Sequence, residues 1–503
     1  MASSSAAVLD PPLAPIWRLA AASLLTPQRR PHADIWLRRL PMTVIILAQV
    51  LLTLRLNNTA FQDEALYING GHALLGHWLH GTPTGNPGDF YSGAPAAYPV
   101  IAALLDNVGG LWLVRMFSLV CMVATTVLIR SLTARIFHSP QAGLLAAAAF
   151  VVCGPVMFLG GFATFDAVCV WCLALALWSG VRGNGSMLSS IAMGTALAAA
   201  ATFKYTGAAF IPPVLFIVFL VNGARGRALI RTGVAAASTV TLLGLGLLVW
   251  GRQIERGIKF TTTSRKALFP APAGQLLGYV AQDIGLIFLL AIVGVFLVPR
   301  RPRLILMALA MLAAACILPA SQLRLGEAVS FEKHLAYSAL FLAPLAGVAL
   351  SRLSRRGPRF LGVFAMLFII TVTGLSRSMS MYTLWPDVAR VVQIITPDAP
   401  AGKYLSTSSD ALAYYTKQSI PAARWDSQYG LFGAGPVAIR HAVADHDYQY
   451  VIFRSGPSGN ATEDANMNVL KDALDHNAGY QLAAAPFQTR QYALERWYIY
   501  KLK

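Results

Sequence analysis

Long apolar stretches separated by short arginine-containing segments fill most of the first 380 residues. A stretch of about 18 or more apolar residues can cross a hydrocarbon core about 30 Å thick. It must cross as a helix, because lipid offers the backbone no hydrogen-bond partners. The predicted fold class is therefore an all-α polytopic membrane domain. The pattern predicts about eleven transmembrane helices, near residues 40–56, 112–130, 141–160, 163–181, 186–203, 206–222, 228–250, 276–298, 304–320, 334–350 and 358–377.

The pattern changes after about residue 385, where charged residues, Tyr and Asn become frequent and the apolar runs shorten. Alternating apolar and polar positions predict strands at 402–408, at 448–455 and in the terminal "QYALERWYIYKLK". Helical spacing predicts helices at 410–418 and 461–477. Strands that alternate with helices indicate a small α/β domain.

The positive charges indicate how the chain is oriented. Charged residues make up 12% of the sequence, against about 25% in a soluble domain. The acid-free loops between predicted helices contain Arg130 and Arg135; Arg182; Arg225, Arg227 and Arg231; Arg300, Arg301 and Arg303; and Arg352, Arg355, Arg356 and Arg359. The positive-inside rule makes these loops and the N-terminus cytoplasmic. The net charge of +18 therefore reflects topology and not nucleic-acid binding, which would need clustered bases with stacking aromatics on a soluble domain.

An odd number of membrane crossings then places the C-terminal region outside the cell (inner or plasma) membrane. The predicted organisation is a cytoplasmic leader at 1–39, a transmembrane domain at 40–380 with a long first outer loop at 57–111, and a soluble extracytoplasmic α/β domain at 385–503.

Adjacent carboxylates, Asp63 and Glu64, open the first outer loop. Acids in the first turn of a helix are favoured by its dipole by about 0.3–1 kcal/mol, so they can be purely structural. Alternatively, the pair supplies a general base and a second charge or metal ligand. His77 and His80 could join Glu64 around a divalent metal, which stays open as a cofactor.

Several motifs follow one another along the chain. The Asp-Glu pair precedes Ala-x-Tyr, and "FATFDAVCVWCLALALW" opens a helix with Asp166. "AAAATFKYTG" contains Lys204 and Tyr205, and "FEKHLAYSALFLAPLAGVAL" contains Lys333 and His334 before a late helix. In this order the motifs resemble those of the GT-C glycosyltransferases, in particular the dolichyl-phosphate-mannose protein mannosyltransferases and the similar aminoarabinose transferases. The sequence departs from the family in "GAPAAYPV", which separates two prolines that the family usually places side by side.

The resemblance implies an inverting transferase that moves a monosaccharide from a polyprenyl-phosphate carrier to an extracytoplasmic acceptor, which is a protein, a glycolipid or a wall polymer. Asp63 would act as the general base and Glu64 as an electrostatic or metal partner. Asp166, Lys204, Tyr205, Lys333 and His334 would bind substrate. The structural alternatives are a helix cap for Asp166 and a lipid-interface anchor for Lys204.

The predicted outer loop at 251–275 contradicts the positive-inside trend. Its bases are Arg252, Arg256, Lys259, Arg265 and Lys266. They either bind the leaving phosphate, whose negative charge grows during transfer, or contact lipid headgroups. Both interpretations stay open.

A transporter or lipid flippase is the alternative function. Such proteins commonly contain inverted repeats and polar groups in the middle of the membrane. In this sequence the acids instead lie near the predicted outer ends of the helices, which favours the transferase.

Overall fold

The computed structural model describes residues 31–85, 91–182, 186–265, 267, 270–354, 360–458, 460–489 and 495–503. The chain divides into two compact units, Met1–Val44 and Ile45–Lys503. The helices up to residue 382 are α1 Pro31–Thr53, α2 Gln62–His80, α3 Tyr98–Ile136, α4 Pro140–Val151, α5 Gly154–Gly161, α6 Phe165–Arg182, α7 Met187–Phe203, α8 Ile211–Val221, α9 Gly226–Thr261, α10 Ala273–Leu297, α11 Pro302–Leu325, α12 Phe331–Leu353 and α13 Phe360–Tyr382.

Each of the eleven predicted crossings coincides with helical structure, which confirms the all-α membrane domain. Within the described residues, seven helices are long and apolar enough to span a membrane, and α4 with α5 forms an eighth that bends by 68°. The bend lies just before Pro155, whose ring prevents a continuous helix. The remaining three predicted crossings are the shorter apolar helices Arg39–Thr53, Met187–Phe203 and Tyr205–Val221.

The first outer loop is itself largely helical. It contains α2 and the first turns of α3, which continues into the membrane after a break at Gly109 and Gly110. Gly110 has a φ of +62°, a conformation that glycine adopts without strain. The Tyr67 ring of α2 lies 4.7 Å from the ring of Phe165, so aromatic packing joins the loop to α6.

Helix α12 forms the centre of the membrane domain. In its most apolar window 94% of the residues are buried, against 11% in α9. A helix that is apolar on all sides and buried on all sides must be surrounded by other helices. Its neighbours are α4, α10 and α11. Lys333 and His334 in its first turn are therefore held at the middle of the bundle.

The C-terminal region is an α/β domain, as predicted. Its elements are α14 Ala389–Ile395, β1 Lys403–Ser406, α15 Ser409–Thr416, β2 Trp425–Ser427, α16 Gln428–Gly433, α17 Pro436–Ala444, β3 Tyr448–Ser455, α18 Ala461–Asp475, β4 Tyr480–Leu482 and β5 Arg496–Leu502. The strand order is β2-β1-β3-β5-β4. Strand β1 pairs in parallel with β2 and β3, while β5 is antiparallel to β3 and β4.

Alternate residues of the sheet pack in opposite directions. Tyr404 and Ile452 belong to the same hydrophobic core as α15 and the membrane helices, whereas Leu405 and Phe453 face α17 and α18. The strands β2 and β4 and the helices α14, α16 and α17 were not predicted.

Asp106 connects the C-terminal domain to the first outer loop. Its carboxylate accepts hydrogen bonds from the Tyr414 hydroxyl at 2.6 Å and the Lys417 ammonium at 3.1 Å, and it lies 2.8 Å from Nε2 of His72. The domain and the loop therefore lie on one side of the membrane region. The assignment of that side to the cell exterior stays a prediction.

Candidate functional site

Asp63 lies in the first turn of α2, two residues after the Phe61 cap. Its side chain is 31% exposed, and its Oδ2 lies 3.2 Å from Nζ of Lys333. Two residues that are 270 positions apart thus meet where α2 approaches the start of α12. Part of the Asp63 carboxylate remains accessible to a substrate.

Glu64, by contrast, is completely buried and fully hydrogen bonded. Its Oε1 accepts from Arg115 Nε at 2.9 Å and from the Ala163 amide at 2.8 Å. Its Oε2 accepts from Arg115 Nη2 at 2.7 Å and from the Phe61 amide at 2.9 Å. Glu64 therefore fixes the start of α2 against α3 and the turn before α6.

The suggested metal set of Glu64, His77 and His80 is not assembled. His77 lies thirteen residues after Glu64 on one helix, a separation of about 20 Å, and its Nδ1 lies 3.0 Å from the carbonyl oxygen of Thr82. The described part of the chain contains no group of three or more His, Cys, Asp and Glu residues that could hold a metal ion.

Asp166 opens α6 and is also fully buried. It accepts a 3.0 Å hydrogen bond from the Tyr337 hydroxyl and forms a close ion pair with Lys204. The Lys333 ammonium lies 3.7 Å away, so this lysine bridges Asp166 and Asp63. The two carboxylates are connected through a single cation.

Lys204 follows α7 and is only 3% exposed, so the interface-anchor interpretation is wrong. Its Nζ lies 2.6 Å from Nε2 of His334, and the Nδ1 of that ring lies 2.8 Å from Oε1 of Gln322. Because the Gln322 oxygen can only accept, we assign the imidazole proton to Nδ1, which leaves Nε2 to accept from the lysine.

These five residues, Asp63, Lys333, Asp166, Lys204 and His334, are called the carboxylate–lysine cluster below. Charges of opposite sign alternate along it, which is the arrangement that makes buried ions tolerable. Asp166 opens α6 and Arg182 ends it, and Lys333 begins α12 while Arg352 closes it. The cluster and the arginine-rich connections therefore lie at opposite helix ends, about 25 Å apart.

The predicted phosphate-binding bases divide into two groups. Arg252, Arg256 and Lys259 lie on the last turns of α9, where all three are exposed and Lys259 pairs with Glu255 at 2.7 Å. Arg265 pairs with Glu327 at 3.6 Å, and its charge acts on Lys333 and His334. Lys266 lies outside the described residues.

Tyr205 follows Lys204 and connects the cluster to α9. Its ring packs against Gly257, where an added Cβ would lie 2.7 Å from Cε2 of the ring. Its buried hydroxyl has no hydrogen-bond partner among the described residues.

Asp410 is a site residue that sequence reasoning missed. It lies in the first turn of α15, and its Oδ2 accepts a 2.6 Å hydrogen bond from Nε2 of Gln62, the residue before Asp63. Burial, reinforced by the negative charge of Asp63, raises the pKa of Asp410 from 3.8 to about 7. No sequence signal associates this residue with the first outer loop.

A cavity of about 300 Å³ lies away from the cluster. It lies between the C-terminal half of α2, the following loop and α9. Its lining residues are Leu74, His77, Trp78, Thr84, Gly85, Ala96, Trp250 and Gln253. We base the site on the cluster, because that is where the ionisable groups converge.

Comparisons with known proteins agree with this architecture. A family model described as dolichyl-phosphate-mannose-protein mannosyltransferase matches residues 94–250. The sequence matches none of the curated proteins with which it was compared. ArnT from Cupriavidus metallidurans is similar in structure, with a TM-score of 0.61, 13% identity, and coverage of 93% of this chain and 98% of that chain.

Two further solved structures are similar. The oligosaccharyltransferase from Archaeoglobus fulgidus has a TM-score of 0.53 at 12% identity, covering 88% of this chain and 73% of that one. The arabinofuranosyltransferase AftD from Mycobacteria has a TM-score of 0.54 at 15% identity, covering 92% and 40%. The chain has a GT-C-like fold. The resemblance inferred from the sequence is thereby confirmed at the level of the fold.

Glu64→Gln should strongly destabilise the protein, because it leaves the buried Arg115 guanidinium without its partner, at a cost of about 3–5 kcal/mol. Arg115→Met should do the same. The double variant should lose less free energy of unfolding than the two single variants lose together, since it leaves no unpaired charge. Thermal unfolding of the purified protein, with the exposed Glu255→Gln as a control, measures these effects. A Glu64→Gln protein of normal stability would refute the structural role.

Asp410→Asn should change how stability depends on pH. Between pH 3.8 and about 7 the folded protein keeps a proton on Asp410 that the unfolded chain releases. The free energy of unfolding therefore falls as the pH rises through that window. The asparagine side chain does not ionise, so the variant does not lose stability in this window. It should therefore gain stability relative to wild type above about pH 7. Unfolding midpoints across the window measure this gain. The exposed Asp445→Asn is the control, and identical profiles for all three proteins would contradict the assignment.

Proposed function

We propose that this protein is an inverting glycosyltransferase that moves a monosaccharide from a polyprenyl-phosphate carrier to an extracytoplasmic acceptor. The observation that carries the proposal is the carboxylate–lysine cluster, placed at one end of the helices of a GT-C-like fold. Glycosyl transfer needs a base for the acceptor and positive charge for the phosphate. The cluster brings both kinds of group together.

Asp63 is the general base in this proposal. A base must reach the hydroxyl that it deprotonates, and Asp63 is 31% exposed whereas Asp166 and Glu64 are fully buried. The acceptor hydroxyl gives its proton to Asp63, and its oxygen forms the new bond to the anomeric carbon. The bond from that carbon to the phosphate oxygen breaks on the opposite face, which inverts the configuration.

The leaving phosphate needs more positive charge than the cluster offers. Lys333 and Lys204 are already paired with Asp63 and Asp166, so the cluster is close to neutral. The segment 252–266 contains five bases and one acid, and its Arg265 acts on Lys333. We assign phosphate binding to this segment together with Lys333.

Ligands of structurally similar proteins support a lipid-linked donor. ArnT from Cupriavidus metallidurans has been solved with undecaprenyl phosphate bound, and the Archaeoglobus fulgidus enzyme AglB with a dolichol-phosphate and an inhibitory peptide. Both ligands combine a phosphate with a long apolar chain. A donor of this kind fits a cluster that lies at the ends of membrane helices.

A metal cofactor does not follow from the residues. The Archaeoglobus fulgidus oligosaccharyltransferase has been solved with zinc and sulfate. Both oxygens of Glu64 are occupied by protein donors, and the described chain brings no three-residue ligand group together. These side chains do not fit a metal site, and we derive no step through a metal.

Asp63→Asn should abolish sugar transfer while donor binding persists, because the amide cannot accept the proton. Purified protein is incubated with a panel of radiolabelled polyprenyl-phosphate sugars, and native membrane extract supplies the acceptor. The measurement is the radiolabel that leaves the carrier. The exposed Asp445→Asn serves as the charge-matched control. Turnover by Asp63→Asn at the wild-type rate would remove this residue from the mechanism.

Arg252→Gln combined with Arg256→Gln should raise the KM for the donor, because the phosphate loses two nearby positive charges. Exposed pairs contribute up to about 1 kcal/mol each, so the combined increase should be on the order of tenfold. The matched control is Arg225→Gln with Arg227→Gln, which removes two exposed bases at the other end of α9. Equal donor KM values for the two double variants would assign these bases to lipid contacts instead.

A further inference from the structure

The sheet of the C-terminal domain has a topological switch point. From β1 the chain moves to β2 on one side and then returns past β1 to β3 on the other, and all three strands are parallel. Where successive connections leave in opposite directions, the carboxyl ends of the strands open a crevice in which α/β domains bind ligands. In this domain the crevice lies beyond the ends of β1 and β3.

A polar recess of about 30 Å³ occupies that position. It has room for one water-sized group, such as a single hydroxyl. Thr407 enters it from the end of β1, Gly456 and Ser458 from the end of β3, and Glu463 from α18. The complete lining is Thr407, Arg454, Gly456, Ser458, Glu463, Asp464, Met467 and Glu495.

Two buried polar atoms at this edge lack partners among the residues that the structure describes. They are Oγ1 of Thr407 and Oε1 of Gln428. Gln428 follows β2, is 2% exposed, and donates from Nε2 to Glu463 in the recess at 3.4 Å. A buried polar group without a hydrogen bond costs about 1–3 kcal/mol. These two atoms can therefore form hydrogen bonds with a ligand that carries hydroxyl groups.

The same edge of the sheet faces the proposed reacting site. Asp410 follows β1 and bonds to Gln62, the neighbour of Asp63. Tyr429 follows β2 and is 54% exposed. Burial, with smaller contributions from the negative charges of Glu463 and Asp63, raises the pKa of Tyr429. Residues from the ends of two strands thus approach the candidate base from outside the membrane domain.

We propose that the carboxyl edge of the C-terminal sheet binds a neutral, hydroxyl-rich glycan group of the acceptor and presents one of its hydroxyls to Asp63. Hydroxyl, amide and carboxylate side chains match the donors and acceptors of a sugar, and the exposed Tyr429 ring offers a surface for its apolar face. The recess contains three acids against one base, Arg454, which disfavours a phosphate. This inference rests on the proposed function and names the substrate class of its second site.

The test is hydrogen–deuterium exchange of the full-length protein in lipid nanodiscs. The probes are the methyl glycosides of glucose, mannose and N-acetylglucosamine at millimolar concentrations, with inorganic phosphate as the comparison. At least one glycoside should slow exchange in the segments 407–410, 427–430 and 456–464, whereas phosphate should not. Absence of protection by every glycoside, or equal protection by phosphate, would overturn the proposal.

Near-isosteric variants identify the atoms involved. Thr407→Val and Gln428→Met should each weaken glycoside binding, measured by titrating the protection, by about tenfold, the effect of one lost hydrogen bond. The exposed Gln481→Met is a matched control in the same domain and should bind as wild type does. If the buried Gln428→Met fails to fold, Thr407→Val decides alone. Unchanged affinity in the folded recess variants would refute the assignment.

Failure of this inference is distinguishable from failure of the proposed function. Glycoside protection without sugar transfer from any carrier would leave a glycan-binding edge and remove the transferase. Sugar transfer without glycoside protection would leave the transferase and remove the edge as the acceptor site.

Discussion

The buried pair of Glu64 and Arg115 is the constraint on which the site depends. The carboxylate takes four hydrogen bonds from three separate parts of the chain, namely the cap of α2, helix α3 and the turn before α6. A buried charge without its partner costs several kcal/mol, so these parts can meet in only one arrangement. Asp63 is the neighbour of Glu64, and Asp166 lies three residues after Ala163. Fixing Glu64 therefore fixes both carboxylates of the cluster.

Breaks in the helices create the room that the cluster occupies. Helix α7 ends at Phe203, Lys204 follows it, and a short 3-10 helix, Tyr205–Phe210, continues the chain. The bend between α4 and α5 similarly prevents a straight crossing. Irregular backbone at membrane depth is tolerated where protein or water supplies the missing hydrogen bonds. These interruptions allow the buried Lys204 to reach Asp166 and His334.

The sequence predicts those parts of the structure that depend on local pattern. Length and apolarity locate the membrane helices, and alternation locates β1, β3 and β5. The part of α3 that precedes the break at Gly109 and Gly110 was missed, because this segment was assigned to the outer loop at 57–111. Contacts such as Asp63 with Lys333, or Gln62 with Asp410, join residues hundreds of positions apart and have no local signature. For the same reason Glu64 appeared to be a partner of Asp63, whereas its bonds are directed away to Arg115.

The distribution of charge around Asp63 suits a reaction that separates charge. On one side Lys333 bridges to Asp166, and the positive charge of Arg265 in the basic segment 252–266 acts on Lys333. On the other side Asp410 and the acid-rich recess approach from the C-terminal domain. In the proposed reaction, the negative charge on a departing phosphate would be stabilised on the cationic side, and the proton from the acceptor would go to the carboxylate side. The proposal therefore places the donor on the side of α9 and the acceptor beneath the C-terminal sheet.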